Sequence, residues 1–164
     1  ISLSVEENGT SAVENALIKA RAYHNVTNMP VMAMDDSLYL EKVPDELQPG
    51  LYVRRVDGKS LSDEEMIKHY SNLVKNYGVD GKIVARWVYG LAIINGKKEE
   101  TYTWSKNDFL LVDTPSKVIN PGYPLNSISK NIKLNKYFSE MTQEDQENVQ
   151  EQEDDVIEFI AKNV

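Results

Sequence analysis

An α/β fold is what this sequence predicts, on three observations. Two segments carry a capping-box spacing followed by apolar residues at helical intervals, several short apolar runs are bounded by turn residues, and an Asn-Gly pair sits between two strand-like stretches. A length of 164 residues, 41% hydrophobic and 27% charged, supports one domain with a real core and is too short to promise two.

The elements follow in chain order. ISLSV, residues 1–5, reads as the tail of a strand. Ser11 with Glu14 is a capping-box pair, and Val13, Ala16, Leu17 and Ala20 repeat at helical spacing, which predicts a helix over 11–24 that stops within 25–30. VMAM, 31–34, reads as a buried strand that ends at the carboxylate pair Asp35 and Asp36, and VPDELQPG as a loop. Ser62 with Glu65 repeats the capping box, ahead of Met66, Ile67, Tyr70, Leu73, Val74 and Tyr77, with Gly78 as the stop. KIVARWVYGLAII and KKEETYTW flank Asn95-Gly96 and should meet as an antiparallel hairpin. FLLV, 109–112, is a further strand, 113–135 is mostly irregular, and the tail from Thr142 is helical with Val149, Val156, Ile157 and Ile160 as its apolar contacts.

Composition removes several classes of function. A net charge of −8 argues against a nucleic-acid partner, because that binding is driven by Lys and Arg on phosphates. The absence of cysteine excludes a disulfide framework and a thiolate site and fits a reducing cytoplasm. The most apolar stretch, VARWVYGLAII at 84–94, is far short of the roughly 20 residues of a membrane span, so neither a membrane segment nor a signal peptide is expected.

The carboxylate pair has two readings. Aspartate is disfavoured inside strands and costly to bury unpaired, so Asp35-Asp36 marks either a strand-ending turn or a site. Glu6 and Glu7 end the first apolar run in the same way. Acidic strand ends that converge can hold Mg²⁺, which takes one or two carboxylates and completes its shell with water and phosphate oxygens.

EENGTSAVENALIKARAY, PVMAMDDSLYL and PGLYVRR, in this order and spacing, resemble the inosine triphosphate pyrophosphatase family, which hydrolyses non-canonical purine nucleoside triphosphates to the monophosphate and pyrophosphate. The family pattern has an acidic residue in a loop, a helix of the form ENA-x-x-KA, a strand ending A-D-D-S-G-L, and a P-G-x-Y-S-A-R turn; VARWVYGLAII and PGYPL echo its later parts. The resemblance implies an elongated mixed sheet flanked by helices, with two lobes around a central cleft, in a single domain over 1–164 that lacks its first βα unit. It also implies roles. Glu7 and Asp36 are metal ligands, for Mg²⁺ or Mn²⁺, and Asp36 is the catalytic carboxylate that acts on the attacking water. Lys19, Asp35, Arg55, Gly122 and Tyr123 bind substrate. The expected partner is a nucleoside triphosphate or related phosphate ester, and a homodimer is implied.

The departures fall on base recognition. Leu38 stands where the family has glycine, Pro121 replaces a base-stacking aromatic, and Pro124 replaces an acid. Gln146 stands for a lysine, and Gln150, Glu151 and Gln152 for an S-H-R triplet. Two functions therefore remain open: a pyrophosphatase with altered base recognition, and a catalytically silent relative that binds nucleotide or protein. His24 and His69 are expected at helix surfaces or ends, the acids of 140–158 on a solvated helical face, and Trp87, Tyr89, Tyr102 and Trp104 in cross-strand packing or a dimer contact.

Overall fold

The computed structural model describes residues 1–164, with four α-helices and eight β-strands. The chain divides into two compact units, one made of Ile1–Ser37, Trp87–Lys106 and Gln152–Val164, the other of Leu38–Arg86 and Asn107–Glu151.

In the first unit, helix α1 (Ala12–Thr27) begins at Ser11, whose hydroxyl accepts the Glu14 N–H at 3.3 Å. The reciprocal half of the expected capping box is not made. Glu14 instead accepts the N–H and the hydroxyl of Thr10, at 2.7 and 2.8 Å. The helix runs on to Thr27 and closes at Asn28, which adopts the left-handed conformation at φ 54°. Residues 1–10 keep a strand-like alternation of burial but pair with no strand, contrary to the reading of ISLSV; the Leu3 N–H donates to the Tyr23 hydroxyl at 3.3 Å.

Strand β1 (Val31–Leu40) is ten residues long, so Asp35 and Asp36 lie inside it. That corrects the expected strand end and removes the turn reading. Local propensity lost to lateral pairing, since β1 lies beside β4 (Lys82–Asn95) in the sheet, at an end of the strand order where charged side chains still reach water. The strand is also not buried throughout: Met32 and Met34 are exposed. Val31 and Ala33 pack against Ala16 and Ala20 of α1 and Ala92 and Ile94 of β4. Alternation puts Leu91 and Ile93 on the other face of β4, where Val156 of α4 (Asp154–Asn163) covers them together with Tyr102 and Trp104 of β5 (Lys98–Ser105). Helix α1 crosses Gly90 of β4 so closely that a Cβ there would fall 2.2 Å from the Val13 nitrogen.

The expected hairpin forms with its turn shifted along the chain. Asn95 pairs with Lys98, so Gly96 and Lys97 make the turn, and Gly96 takes the positive φ, 62°, as type II′ geometry requires of its first central residue. Tyr89 stacks on its cross-strand partner Trp104 at 5.2 Å, and Tyr102 on Phe159 of α4 at 5.0 Å. Those rings are spent on cross-strand and sheet–helix packing.

In the second unit, β2 (Arg55–Val56) and β3 (Lys59–Ser60) form a small hairpin ahead of α2 (Asp63–Tyr77). Helix α2 has its complete capping box between Ser62 and Glu65 and buries Met66, Tyr70, Leu73 and Val74; the Tyr70 hydroxyl donates to the Val53 carbonyl at 2.7 Å. Strand β6 (Phe109–Val112) pairs antiparallel with β4, β7 (Ser129–Asn131) with β6, and β8 (Lys136–Tyr137) with β7. The full strand order is β1-β4-β6-β7-β8, with β5 on β4. The stretch 113–135 is thus less irregular than expected, holding β7 and a 3₁₀ turn over Pro124–Ser127.

The last residues of β1 belong to the second unit. Leu38 and Leu40 are buried, and Leu38 exchanges backbone hydrogen bonds with Gly50. Leu40 does the same with a side chain: its N–H donates to Gln48 Oε1 at 2.9 Å, and Gln48 Nε2 donates to the carbonyls of Leu40 and Val43 at 2.6 and 2.9 Å.

The helical tail is broken into α3 (Gln143–Val149) and α4. Two acids explain the break. Glu151 accepts the Asn107 N–H at 2.8 Å, and Glu153 accepts the Trp104 indole N–H at 3.1 Å and lies 3.5 Å from the Lys106 ammonium. Ile157, expected as an apolar contact, is 63% exposed, and Phe159 packs in its stead. No helix is long and apolar enough to cross a membrane.

Candidate functional site

Lys19 is the centre of the first unit's polar cluster. Its ammonium lies 3.3 Å from Glu7 Oε1 and 3.9 Å from Asp35 Oδ1, and donates to the Met34 carbonyl at 3.2 Å. Helix α1 thereby reaches two acids that are far apart in sequence, one from the loop before it and one from β1.

The loop that carries Glu7 is held by a residue the sequence reading did not single out. Asn15 is 3% exposed, and its Oδ1 accepts the Gly9 N–H at 2.9 Å. A Cβ at Gly9 would come within 2.8 Å of that oxygen, so the close approach requires glycine. The signal was present. Asn15 stands beside Ala16 and one turn from Ala12 on the buried face of α1, a polar residue at an apolar position. It is also one turn before Lys19, so neighbouring positions of one helix fix the Glu7 loop and supply its counter-charge.

Asp36 differs from Asp35 because successive strand residues alternate sides. It shares its side with exposed Met32 and Met34 and, further along, with buried Leu38 and Leu40, so it is the last open position before that side closes. The residue reaches solvent, but enough protein surrounds its carboxyl to strip part of the hydration. Desolvation, followed by the charge of Asp35, raises the Asp36 pKa above the ordinary value, and the Lys19 ammonium opposes this.

The other candidate residues lie in the second unit. Arg55 is exposed on β2. Gly122 sits in a turn at φ 83°, and its N–H donates to Asp63 Oδ2 at 2.7 Å. Arg54, not Arg55, completes that arrangement: it donates to Asp63 Oδ1 at 2.9 Å, to the Leu61 carbonyl at 3.0 Å and to the Gly122 carbonyl at 3.3 Å. The Gly122 N–H, then Arg54, hold the Asp63 carboxyl below its ordinary range. Tyr123 is 70% exposed. Pro124 is buried at the first position of the 3₁₀ turn, Gln150 ends α3, and the Glu151 carboxylate is taken by Asn107.

The histidines stay with their helices. His24 Nδ1 lies 2.6 Å from the Met29 carbonyl just past the end of α1, and half-buried His69 meets the Tyr70 ring edge-on, where burial lowers its pKa.

Solved structures share this fold. The Staphylococcus aureus Ham1 protein aligns with a TM-score of 0.73 at 22% identity, covering 96% of this chain and 78% of that one. The nucleoside-triphosphatase / dITP/XTP pyrophosphatase of Mycobacterium abscessus ATCC 19977 / DSM 44196 aligns with a TM-score of 0.71 at 20% identity, covering 91% and 76%. In sequence, the chain is 38% identical over 63 residues, 38% of its length, to the dITP/XTP pyrophosphatase of Legionella pneumophila (strain Paris), and 39% identical over 64 residues, 39% of its length, to that of Leptospira interrogans serogroup Icterohaemorrhagiae serovar copenhageni (strain Fiocruz L1-130). Those matches span 31% and 32% of the two relatives, about a third of their length. The Ham1 family pattern itself matches residues 1–161, and with the fold and the ENA helix, DDS strand and PGLY turn in place the chain belongs to the Ham1 family.

Proposed function

We propose that the chain acts as a metal-dependent nucleoside triphosphate pyrophosphatase with altered base recognition, releasing pyrophosphate and leaving the nucleoside monophosphate. The observation that carries this reading is the gathering of Glu7, Lys19 and Asp35 within ion-pair distance, beside an Asp36 carboxyl of raised pKa. The names of the relatives, dITP/XTP pyrophosphatases, support its pyrophosphatase part.

Each side chain has work in that reaction. Asp36, more basic than an ordinary aspartate, orients a water and accepts its proton as the oxygen attacks the α-phosphorus and pyrophosphate leaves. Lys19 donates to phosphate oxygens and so compensates charge that the acids would otherwise repel. Glu7 and Asp35 hold the Lys19 ammonium in place between substrates.

The donor chemistry fits a hard divalent cation. All the candidate ligands are carboxylate oxygens, and a partly desolvated Asp36 carboxyl that also feels the charge of Asp35 is a group that a cation relieves. The resemblance gives Glu7 and Asp36 as its ligands; in the structure Glu7 is gathered with Asp35 on Lys19, and Asp36 lies on the other side of β1. No group of three or more His, Cys, Asp and Glu is arranged to enclose an ion, so water and substrate phosphate would supply the rest of its shell. When bound, Mg²⁺ or Mn²⁺ neutralises charge on the phosphate oxygens and templates the substrate.

Base recognition is the weaker half. Pro121, Pro124, Gln150, Glu151 and Gln152 offer the base no cation, and the one acid among them is engaged with the backbone. Poor discrimination between inosine and ordinary purine triphosphates follows. Pyrophosphate release from a panel of nucleoside triphosphates, with Mg²⁺ and with a chelator, tests the reading. Release that requires the metal and varies little with the base is expected; nucleotide binding without turnover would assign the chain to the silent alternative.

A further inference from the structure

Glycine follows asparagine twice in this chain, at Asn8-Gly9 and at Asn95-Gly96. That dipeptide carries its own reaction. With no Cβ to hinder it, the glycine nitrogen can attack the side-chain amide carbon of the asparagine before it. A bond forms from that nitrogen to Cγ, the bond from Cγ to the side-chain nitrogen breaks, and ammonia leaves with the proton that the glycine nitrogen gives up. Water then opens the cyclic imide at either carbonyl. One opening leaves an aspartyl residue on the original main chain; the other leaves an isoaspartyl residue, whose main chain runs through Cβ and Cγ and is longer by a methylene.

The fold treats the two pairs differently. At Asn8-Gly9 the attacking nitrogen is occupied, because its N–H donates to Asn15 Oδ1 at 2.9 Å, and Asn15 is buried on α1. At Asn95-Gly96 nothing holds either reactant. Gly96 leads the turn between β4 and β5 with open space where a Cβ would stand, and its N–H makes no turn hydrogen bond. The Asn95 side chain is exposed and bonded to no other group. Asn95 is the last residue of β4, paired with Lys98, and the closing pair of a hairpin opens at less cost than the ladder behind it. Opening lets the Asn95 backbone leave its extended form and bring Cγ to the Gly96 nitrogen. Asp57-Gly58 and Asp80-Gly81 present a carboxylate, a poorer electrophile than an amide.

We propose that Asn95 is a site of spontaneous deamidation, and that Asn15 protects Asn8 from the same reaction. The product alters a joint within the first unit. Lys98, the cross-strand partner of Asn95, donates from Nζ to Asn163 Oδ1 at 2.7 Å, and buried Asn163 donates to the Phe159 carbonyl at 2.8 Å. This lysine ties the hairpin to the last turn of α4. An added methylene at position 95 shifts the chain against Lys98, and a new carboxylate there competes with Asn163 for the Lys98 ammonium; both loosen the tie.

Incubation of the full chain at mildly alkaline pH, followed by peptide mapping by mass spectrometry and labelling with an isoaspartyl methyltransferase, tests the proposal. The peptide that holds Asn95 should gain the mass of an amide-to-acid change and take the label, while the peptide that holds Asn8 lags by about tenfold or more, as a site that must open locally does. In denaturant the two should react at similar rates, since only the fold separates them. Asn15→Ala should remove the lag at Asn8 and leave Asn95 as in the parent. The comparison of folded with denatured parent needs no variant, so a chain that does not survive Asn15→Ala leaves the test intact. The melting temperature of the incubated parent should fall, and that of incubated Asn95→Gln, whose longer side chain disfavours the cyclisation, should hold. An unmodified Asn95 in the folded chain, or Asn8 converted at the same rate, overturns the proposal, and full conversion with an unchanged melting temperature overturns its consequence for α4.

Discussion

Asp35 and Asp36 are adjacent in sequence, yet the structure gives them different partners: one meets a lysine, and the other meets the approach to a closed core. This decides what Asp36→Asn should do. An aspartate whose pKa in the fold lies above its unfolded value of 3.8 opposes folding once it ionises; the penalty is absent below 3.8, where both states carry the proton, and complete above the raised pKa. Asp36→Asn should therefore raise the melting temperature near neutral pH and leave it unchanged at the acid end. On the proposed pyrophosphatase reading, turnover should fall by about 10² or more, the scale of losing a positioned base. Pyrophosphate release and thermal unfolding at both pH values check the two halves together. Unchanged turnover would remove Asp36 from the chemistry. At this scale the resemblance marked Glu7, Lys19 and Asp35 as candidates, and the fold brings those three together, while the partner it gave Glu7, Asp36, lies on the other side of β1. Asn15 and Arg54 were not legible: each acts through backbone groups that only the folded chain brings near, and nothing in a linear spacing names those groups.

Helices declared themselves better than strands. The capping boxes and the Gly78 stop are local signals, and α2 formed where they placed it. The length of β1 was hidden because two aspartates argue against a strand and only β4, more than forty residues later, argues for one. The approach of α1 to Gly90 makes a prediction at this scale. A methyl group at 90 would overlap the backbone of Ala12 and Val13, which cannot yield as a side chain tip can. Gly90→Ala should cost about 1–3 kcal/mol or more, as overpacking does, and should displace the helix that carries Asn15 and Lys19. Denaturant unfolding measures the cost, and a fall in nucleotide affinity beyond that expected from the folded fraction would register the displacement. A stability within experimental error of the parent would show that α1 does not press on β4.

For the molecule as a whole, acidity is the governing fact, with 26 acidic against 18 basic side chains. Several acids are held ionised by the fold. Glu65 is lowered to about 2 by Lys59 and the Ser62 N–H, and Asp145 to about 2 by Lys136 and the Thr142 N–H. A depressed carboxyl stabilises the fold fully above its unfolded value and less as pH falls toward its folded one. His69 acts in the same direction at higher pH, because burial lowers its pKa below 6.5 and the unfolded chain takes the proton first. The melting temperature should thus decline in two stages, the first beginning below pH 6.5 and the second below pH 4.5 and extending toward about 2. His69→Gln should flatten the first stage, and Glu65→Gln with Asp145→Asn the second. A single transition insensitive to these substitutions would count against that assignment. The resemblance implied two lobes, but the boundaries of the two units were not legible in the sequence, since both are assembled from separated stretches and no composition change marks where the chain passes from one to the other.

Gln48 limits how this chain can diverge. Its amide stands in for a strand beside Leu40, giving one acceptor and two donor contacts to main-chain groups around a buried residue. A carboxylate there keeps the acceptor and loses both donors; a lysine keeps donors and loses the acceptor; asparagine has the right chemistry on a side chain one carbon shorter. Each leaves Leu40 or Val43 with a main-chain group whose partner is gone, in a place where water cannot easily replace it. A library randomised at this codon and selected only for folding would return glutamine far above its share. Position 48 would then look, in a family of descendants, as constrained as a catalytic residue, for reasons that have nothing to do with catalysis.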